Sequence, residues 1–219
     1  MMPHIIEFTG VPCCGKSTLS HKVANQLSAN RSINEKQFEL SHDANRIKRS
    51  FAKLFRAIKY CMRNPVRAFQ TRKDFQSIGR RINYYYIMDL CSCKETVVLE
   101  QGFCQIVMSL FEKEKPCEER IEEIINQMPL GEQDMVVFIE VTQNEIKDRM
   151  QKRPENDQPY FSNAVDIDEE IEKAIMTLRI IKRVVDKKNI RSIVVENHTG
   201  EEDIAVQSIV VALEEFEDK

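Results

Sequence analysis

Short apolar segments alternate with longer amphipathic segments along this chain. Four segments (4–8, 95–102, 134–141 and 190–196) each contain a short apolar run, and 36–41 is a weaker fifth. Such runs are typical of strands buried on both faces of a parallel sheet. Between them, apolar residues recur every three or four positions, as at Leu19, Val23 and Leu27. The alternation predicts an α/β fold: a mostly parallel five-stranded sheet with helices on both faces.

The longest helical pattern lies between the second and third predicted strands. It contains no glycine before Gly79 and is interrupted once by the residues RNP at 63–65, which predicts two helices at about 44–62 and 66–93. The polar segment 154–166 holds two prolines and predicts a mobile surface loop. The other predicted helices are 17–29, 103–113, 117–127, 142–153, 168–188 and one from about 200.

The composition is that of an ordinary globular chain of 219 residues, with 42% hydrophobic and 31% charged residues. This length suggests a single domain over 1–219. We expect no membrane partner, because no apolar run reaches the roughly 18 residues of a membrane-spanning helix. The N-terminus lacks a signal-peptide pattern, and the seven cysteines form no paired framework. A cytoplasmic location is therefore predicted.

The charge is distributed unevenly, although the net charge is only −3. Residues 44–81 contain twelve Lys or Arg and one acid, Asp74. Such a block indicates either an anionic partner for this region or a solvated helix face, and the sequence leaves both open.

One segment carries a recognisable phosphate-binding pattern. Residues 10–17 match G-x-x-x-x-G-K-[ST] directly after a predicted strand and directly before a predicted helix. Glycines let the backbone N–H groups turn toward phosphate oxygens, Lys16 reaches the β- and γ-phosphates, and the Ser17 hydroxyl binds Mg²⁺. The predicted nucleotide-binding residues are Gly10, Val11, Pro12, Cys13, Cys14, Gly15, Lys16, Ser17 and Thr18.

The chain resembles the nucleoside and nucleotide kinase group of P-loop small-molecule kinases, which includes thymidylate kinase and the deoxynucleoside kinases. The resemblance rests on GVPCCGKST, on the helical insertion after the second strand, on VVLEQGF, and on MVVFIEVTQNEIKDRMQKR. It implies a three-layer P-loop fold with strand order 2-3-1-4-5. It also implies an acceptor-side insertion at about 44–93 and a lid at about 150–167.

The motif MVVFIEVTQNEIKDRMQKR ends with two arginines in the spacing R-x-x-x-R. Arg149 and Arg153 are four residues apart, so on a helix they share one face and could close over the transferring phosphoryl group. The alternative is a solvated helix end. By the resemblance, Arg149 also packs on the adenine, and the turn at 196–200 forms the other wall.

Glu100 ends the third predicted strand, at the sheet edge where ligands gather. Its carboxylate is expected to assist Mg²⁺ binding or to act as the general base. The family carries Asp-Arg at this place, whereas this chain has Glu100 followed by Gln101.

The acceptor is expected to be recognised from the insertion. Asp43 is either an acceptor-contacting acid or the N-cap of the following helix. Arg46 lies one turn further on, and Arg80 or Arg81 could hold an anionic acceptor.

The sequence thus predicts ATP- and Mg²⁺-dependent phosphoryl transfer to a small acceptor, such as a nucleoside, a nucleotide or a similar metabolite. One alternative is a nucleotide-dependent switch or slow ATPase that regulates a partner. A less favoured alternative is a nucleic-acid 5′-hydroxyl kinase, since no recognised nucleic-acid-binding motif is present. The oligomeric state is not determined by these patterns.

Overall fold

A computed structural model describes residues 4–28, 46–65, 78–91, 96–112, 114–154, 159, 161–162 and 164–217. Its centre is a parallel sheet of four strands in the order β2-β1-β3-β4. The strands are β1 (Ile5–Gly10), β2 (Val97–Leu99), β3 (Met135–Glu140) and β4 (Arg191–Glu196). All six residues of β1 and the first five of β3 are buried, as expected for central strands covered on both faces.

Eight helices connect and cover these strands within the described ranges. They are α1 (Lys16–Ser28), α2 (Arg46–Arg63), α3 (Ile78–Leu90), α4 (Phe103–Leu110), α5 (Glu118–Asn126), α6 (Gln143–Gln151), α7 (Ile167–Lys187) and α8 (Glu202–Glu217). In the first group, α1 and α8 contact each other, and they contact the sheet through β1 and β2 (α1) and through β4 (α8). In the second group, α4 and α7 contact each other, and they contact the sheet through β1 (α4) and β4 (α7). Beyond the second group, α3 packs on α4, and α2 packs on α3.

The register places the candidate site at one edge of the sheet. Glu7 lies between Leu99 of β2 and Val136 of β3, and Gly10 at the end of β1 lies opposite Ile139. Parallel strands end together at their carboxyl edge, so the residues following β1, β2, β3 and β4 meet there.

The described sheet differs from the predicted one. Five strands in the order 2-3-1-4-5 were predicted, whereas the described residues form four in the order β2-β1-β3-β4, and the predicted second strand, 36–41, lies outside these residues. The strand predicted at 95–102 is shortened to Val97–Leu99, which are the positions that pair with β1.

Helix limits also differ from the predicted ones. The first insertion helix ends at Arg63, just before the sequence Asn64-Pro65, where proline disfavours continuation. The second is described only over Ile78–Leu90, and 66–77 lie outside the described residues. None of the helices in the described ranges has a stretch long and apolar enough to cross a membrane.

A buried valine in β3 and an exposed valine in β4 together test whether β3 lies at the centre of the sheet. Val137 is fully buried, whereas Val194 on the edge strand β4 is 43% exposed. We expect Val137→Ala to lower the free energy of unfolding by about 2 kcal/mol, since it leaves a cavity between packed layers. Val194→Ala should change it by less than about 0.5 kcal/mol. Urea denaturation of both variants checks the difference, and equal effects would contradict the assignment of β3 to the centre.

Candidate active site

The phosphate-binding pattern forms a tight loop between β1 and α1. Gly15 has φ 96° and Cys13 has φ 68°, so two residues adopt the left-handed conformation. A Cβ at Gly15 would lie 2.2 Å from Asn197 Nδ2, and a Cβ at Gly10 would lie 2.8 Å from the Ile139 carbonyl oxygen. Both glycines are therefore required by the close packing of the loop on its neighbours.

Lys16 lies against the loop that precedes it. Its Nζ donates to the carbonyl oxygens of Gly10 at 2.8 Å and of Val11 at 3.0 Å, and it lies 3.6 Å from Cys14 Sγ. The ammonium group is thus held beside the backbone that curls over the helix N-terminus. A cation and a helix N-terminus in one place favour an anionic ligand.

Ser17 and Glu100 meet across two elements. The Ser17 Oγ, in the first turn of α1, donates a hydrogen bond to Glu100 Oε1, directly after β2. A hydroxyl and a carboxylate at one point fit Mg²⁺, which takes one or two protein oxygens together with waters and substrate phosphates. Within the described residues, no cluster of three or more His, Cys, Asp or Glu could hold a metal ion by itself.

Glu7 is a buried acid that the sequence analysis did not single out. Its carboxylate accepts the backbone N–H groups of Phe103 at 2.9 Å, Cys104 at 2.7 Å and Gln105 at 3.3 Å, at the N-terminus of α4. Burial raises the pKa of Glu7 to about 7, against the opposing effect of these hydrogen bonds. The only signal in the sequence is one acid inside an apolar strand.

The contact between Glu7 and Gly102 positions the carboxyl edge of the sheet beside β2. A Cβ at Gly102 would lie 2.3 Å from Glu7 Cδ, so the turn that follows Glu100 packs directly on this carboxyl group. Glu7 therefore fixes the turn between Glu100 and α4. This is a positioning role, since the carboxylate is fully buried.

Arg149 joins the loop between β1 and α1 to the turn after β4. Its guanidinium donates to the carbonyl oxygens of Asn197 at 2.6 Å and Cys14 at 3.2 Å, and it lies 3.5 Å from Thr199 Oγ1. The Asn197 Nδ2 donates to the same Cys14 carbonyl at 2.7 Å. Arg149 is therefore seated on the loop and does not extend into solvent.

A network of side chains fixes that turn in place. Glu145 in the first turn of α6 accepts hydrogen bonds from His198 Nδ1 at 3.1 Å and from the Thr199 N–H at 3.1 Å, and it completes a capping box with Thr142. Burial opposes ionisation of Glu145, but the hydrogen bonds from His198 and Thr142 outweigh it and lower its pKa to about 2. The hydrogen bond between His198 and Glu145 in turn raises the pKa of His198.

Arg153 does not share a helix face with Arg149, contrary to the expectation from their spacing. Helix α6 ends at Gln151 with Lys152 as its C-cap, and Arg153 lies beyond it, bonded through its N–H to the Met150 carbonyl. The following Pro154 disfavours helical backbone at Arg153, which explains the early end. Parts of the predicted lid, 150–167, lie outside the described residues.

A cavity of about 200 Å³ opens beside Gln101, the residue that follows Glu100. Arg80 lies at its wall, with Nε 3.1 Å from Ser109 Oγ, a further hydrogen bond to the Ser109 carbonyl, and Glu112 Oε2 at 3.7 Å. The polar side chains that line it include Lys53, Arg80, Asn83, Tyr86, Gln101 and Gln105.

Of the other predicted acceptor residues, Arg81 is the one whose side chain is described. Arg81 is partly buried in α3 but does not line this cavity. Arg46 lies in the first turn of α2, and Asp43 lies outside the described residues. The glutamines at 101 and 105 were missed by the sequence analysis, since nothing near them in the chain marks them as pocket residues.

The architecture is similar to that of a deoxyadenosine kinase from M. mycoides, solved with the products dCMP and a flexible dCDP bound. The two structures share a TM-score of 0.51 and 12% sequence identity, over 96% of this chain and 98% of that chain. No protein-family model matches the sequence, and no curated protein matches it. The chain thus has a nucleoside kinase-like fold, and at this identity the similarity shows the fold alone.

The buried carboxyl of Glu7 predicts a specific pH dependence. Its pKa rises on folding from 4.5 to about 7, so its contribution to stability is fully present below pH 4.5 and is lost as pH rises through 7. Relative to Glu7→Gln, the wild-type free energy of unfolding should fall by up to about 3 kcal/mol across this range. Urea denaturation at several pH values measures the difference.

The matched control for this experiment is Glu140→Gln, which alters an exposed acid at the end of β3. It should change the free energy of unfolding by less than about 0.5 kcal/mol at each pH. Parallel pH profiles for wild type and Glu7→Gln would show that the buried carboxyl does not titrate as described.

Proposed function

We propose that this protein transfers the γ-phosphoryl group of ATP to a small acceptor, most simply a nucleoside, a nucleotide or a similar metabolite, with Mg²⁺. The observation that carries the proposal is the meeting of Ser17 and Glu100 beside Lys16, at the edge where the acceptor-side cavity also opens. A donor site and an acceptor site at one sheet edge are what in-line phosphoryl transfer needs. The nucleoside kinase-like fold supports the same reading.

The residues that would bind ATP would act by placing positive charge and hydrogen-bond donors around its phosphates. The N–H groups of the loop and Lys16 would hold the β- and γ-phosphates, so Lys16 exchanges its carbonyl partners for phosphate oxygens. Ser17 and Glu100 would hold Mg²⁺, which supplies positive charge to the phosphates. The hydrogen bond between these two side chains favours the metal-binding role of Glu100 over the role of general base.

The base of the nucleotide would lie against Arg149 and the turn at 196–200. The two terminal guanidinium nitrogens of Arg149 donate to carbonyl oxygens, so its planar face is fixed beside Gly15. Guanidinium planes stack on aromatic rings. Arg153 and the segment 150–167 would close over the phosphates as a lid.

The acceptor would enter the cavity between α3 and α4. Its volume of about 200 Å³ lies below the usual range for drug-sized ligands, which favours a small acceptor over a polymer. Lys53 and Arg80 suit an anionic group, and Gln101 and Gln105 can both donate and accept hydrogen bonds. Asp43, Arg46 and Arg81 remain proposed contributors from the insertion at 44–93.

The competing function is a nucleotide-dependent switch that acts on a partner through the basic helices. The outward-facing apolar residues of α2 favour it, since a metabolite kinase has no evident use for them. The polar lining of the cavity favours the kinase, since a switch needs no such enclosure.

The first test is ATP turnover with Mg²⁺ in the presence of nucleosides, monophosphates and short oligonucleotides. We expect one class of small acceptor to stimulate turnover and to become phosphorylated. Lys16→Ala should lower kcat/KM by about 100-fold or more, because it removes the cation aimed at the phosphates. Lys22→Ala, which alters a partly exposed lysine of the same helix that is ion-paired with Asp203, is the matched control and should leave turnover unchanged.

The outcome separates the two functions. ATP binding that depends on Lys16, without phosphorylation of any acceptor, would reject the kinase and favour the switch. Phosphorylation of oligonucleotide ends alone would reject a small acceptor.

Arg80 provides a separate test of the acceptor cavity. Arg80→Gln should raise the KM for the acceptor by about tenfold while the KM for ATP stays unchanged, because only the acceptor wall loses its charge. Arg80→Lys should restore part of the loss, and Arg120→Gln, on the exposed side of α5, is the control. Equal changes in both KM values, or a lowered melting temperature that accounts for the loss, would contradict the assignment.

A further inference from the structure

Helix α2 exposes a continuous row of large apolar side chains. The positions 51, 54, 55, 58 and 62 are three or four residues apart and therefore share one helix face. Their exposed fractions are Phe51 67%, Leu54 39%, Phe55 72%, Ile58 49% and Met62 78%. We call this row the α2 stripe. A contiguous apolar surface of this kind marks an interaction site far more often than scattered exposed residues do.

The stripe is not the face that holds α2 on the protein. Ala57 and Tyr60 are buried, and the Tyr60 ring stacks on Tyr85 of α3 at a centroid distance of 5.9 Å. Arg56 Nη1 lies 3.3 Å from Oδ2 of the buried Asp89. These contacts anchor the opposite face on α3, so the stripe points away from the packed interior.

The charge of the helix selects the kind of partner. Arg46–Arg63 contains seven Lys or Arg and no acid. The neighbouring acid, Asp89, is buried and already lies within ion-pair distance of Arg56 and Lys59. A second copy docked through the same face would bring two strongly cationic helices together, which Coulomb repulsion opposes. The charge of the helix therefore favours an anionic partner over a second copy of the chain.

The cations also border the stripe. Lys59 lies one turn after Phe55, and Arg63 lies one turn after Lys59, so this row runs alongside the exposed apolar side chains. Lys59 is 44% exposed and Arg63 is exposed. Bulky apolar residues in the middle with lysine and arginine at the border are the pattern of a helix that lies in a membrane interface.

We propose that α2 docks this protein on an anionic membrane surface. The stripe enters the boundary between headgroups and acyl chains, and the cations contact the phosphates of anionic lipids. The helix lies on the membrane and does not cross it, because seven charges in 18 residues exclude a spanning helix. A surface contact of this kind departs from the expectation of no membrane partner, which rested on the absence of a spanning apolar run.

The apolar stripe favours a membrane over nucleic acid. A nucleic acid would engage the cations through its backbone and could stack bases on Phe51 and Phe55, but it offers no partner for Leu54, Ile58 and Met62. Acyl chains accept all five side chains alike. The proposal is independent of the catalytic function, because none of the stripe residues lines the cavity at Arg80.

The chain contains no tryptophan, so a single introduced tryptophan reports its own environment. Phe55→Trp should show a blue shift and increased intensity on addition of phosphatidylglycerol–phosphatidylcholine vesicles, and no change with phosphatidylcholine alone. The shift should decrease as salt rises toward 1 M, since screening weakens the attraction of the cations. Ile204→Trp on α8, a residue that is 65% exposed, is the matched control and should show no shift.

A flotation assay with the full chain tests the stripe directly. The double variant Phe51→Ser, Phe55→Ser should reduce binding to anionic vesicles by about tenfold or more, because two large anchors are lost. The double variant Ile204→Ser, Val211→Ser on α8 should bind as wild type does. Melting temperature and ATP binding, measured in parallel, report whether each variant remains folded.

Four outcomes would overturn the proposal. They are no binding to anionic vesicles, equal binding to neutral and anionic vesicles, binding to a short single-stranded oligonucleotide but not to vesicles, and a dimer that the Phe51→Ser, Phe55→Ser variant dissociates. The third outcome would assign the surface to nucleic acid, and the fourth would assign it to a second copy of the chain.

Discussion

The carbonyl oxygen of Cys14 is the point on which the loop between β1 and α1 depends. Arg149 from α6 and Asn197 from the turn after β4 both donate to it, from positions 135 and 183 residues away in the chain. Cys13 has the left-handed conformation, which is unfavourable for a residue with a side chain, and these donors hold its loop against the sheet. Because Gly15 must leave room for Asn197, the loop, the helix and the turn form one closely packed unit.

The buried acid Glu7 holds the segment between β2 and α4 in place. Glu7 engages three N–H groups at the start of α4 and packs on Gly102, so it fixes the segment that carries Glu100 toward Ser17 and Gln105 toward the cavity. The cost of burying a carboxyl group is offset only in part by these bonds, which is why its pKa rises to about 7. The site is therefore built on two buried polar contacts.

Helix α2 links the proposed catalytic and docking surfaces. Lys53 on one side of the helix lines the acceptor-side cavity, whereas the α2 stripe lies on another. If the stripe rests on a membrane, this cavity lies close to the membrane surface. The two proposals nevertheless depend on different residues and can fail separately.

The sequence alone determined the features whose residues are neighbours in the chain. The strand, glycine-rich loop and helix at 4–28 follow from contiguous residue types, and the buried strands follow from apolar runs. The joint placement of Ser17 and Glu100 was anticipated because both follow strands that end at one edge.

The tertiary structure decided the contacts that join distant segments: the partners of Glu7, the position of Arg149 and the exposure of the α2 stripe. An amphipathic pattern defines an apolar helix face, but only packing decides whether that face is covered. Likewise, the sequence shows Glu7 only as one acid in an apolar strand. The tertiary structure shows that the N-terminus of α4 binds it.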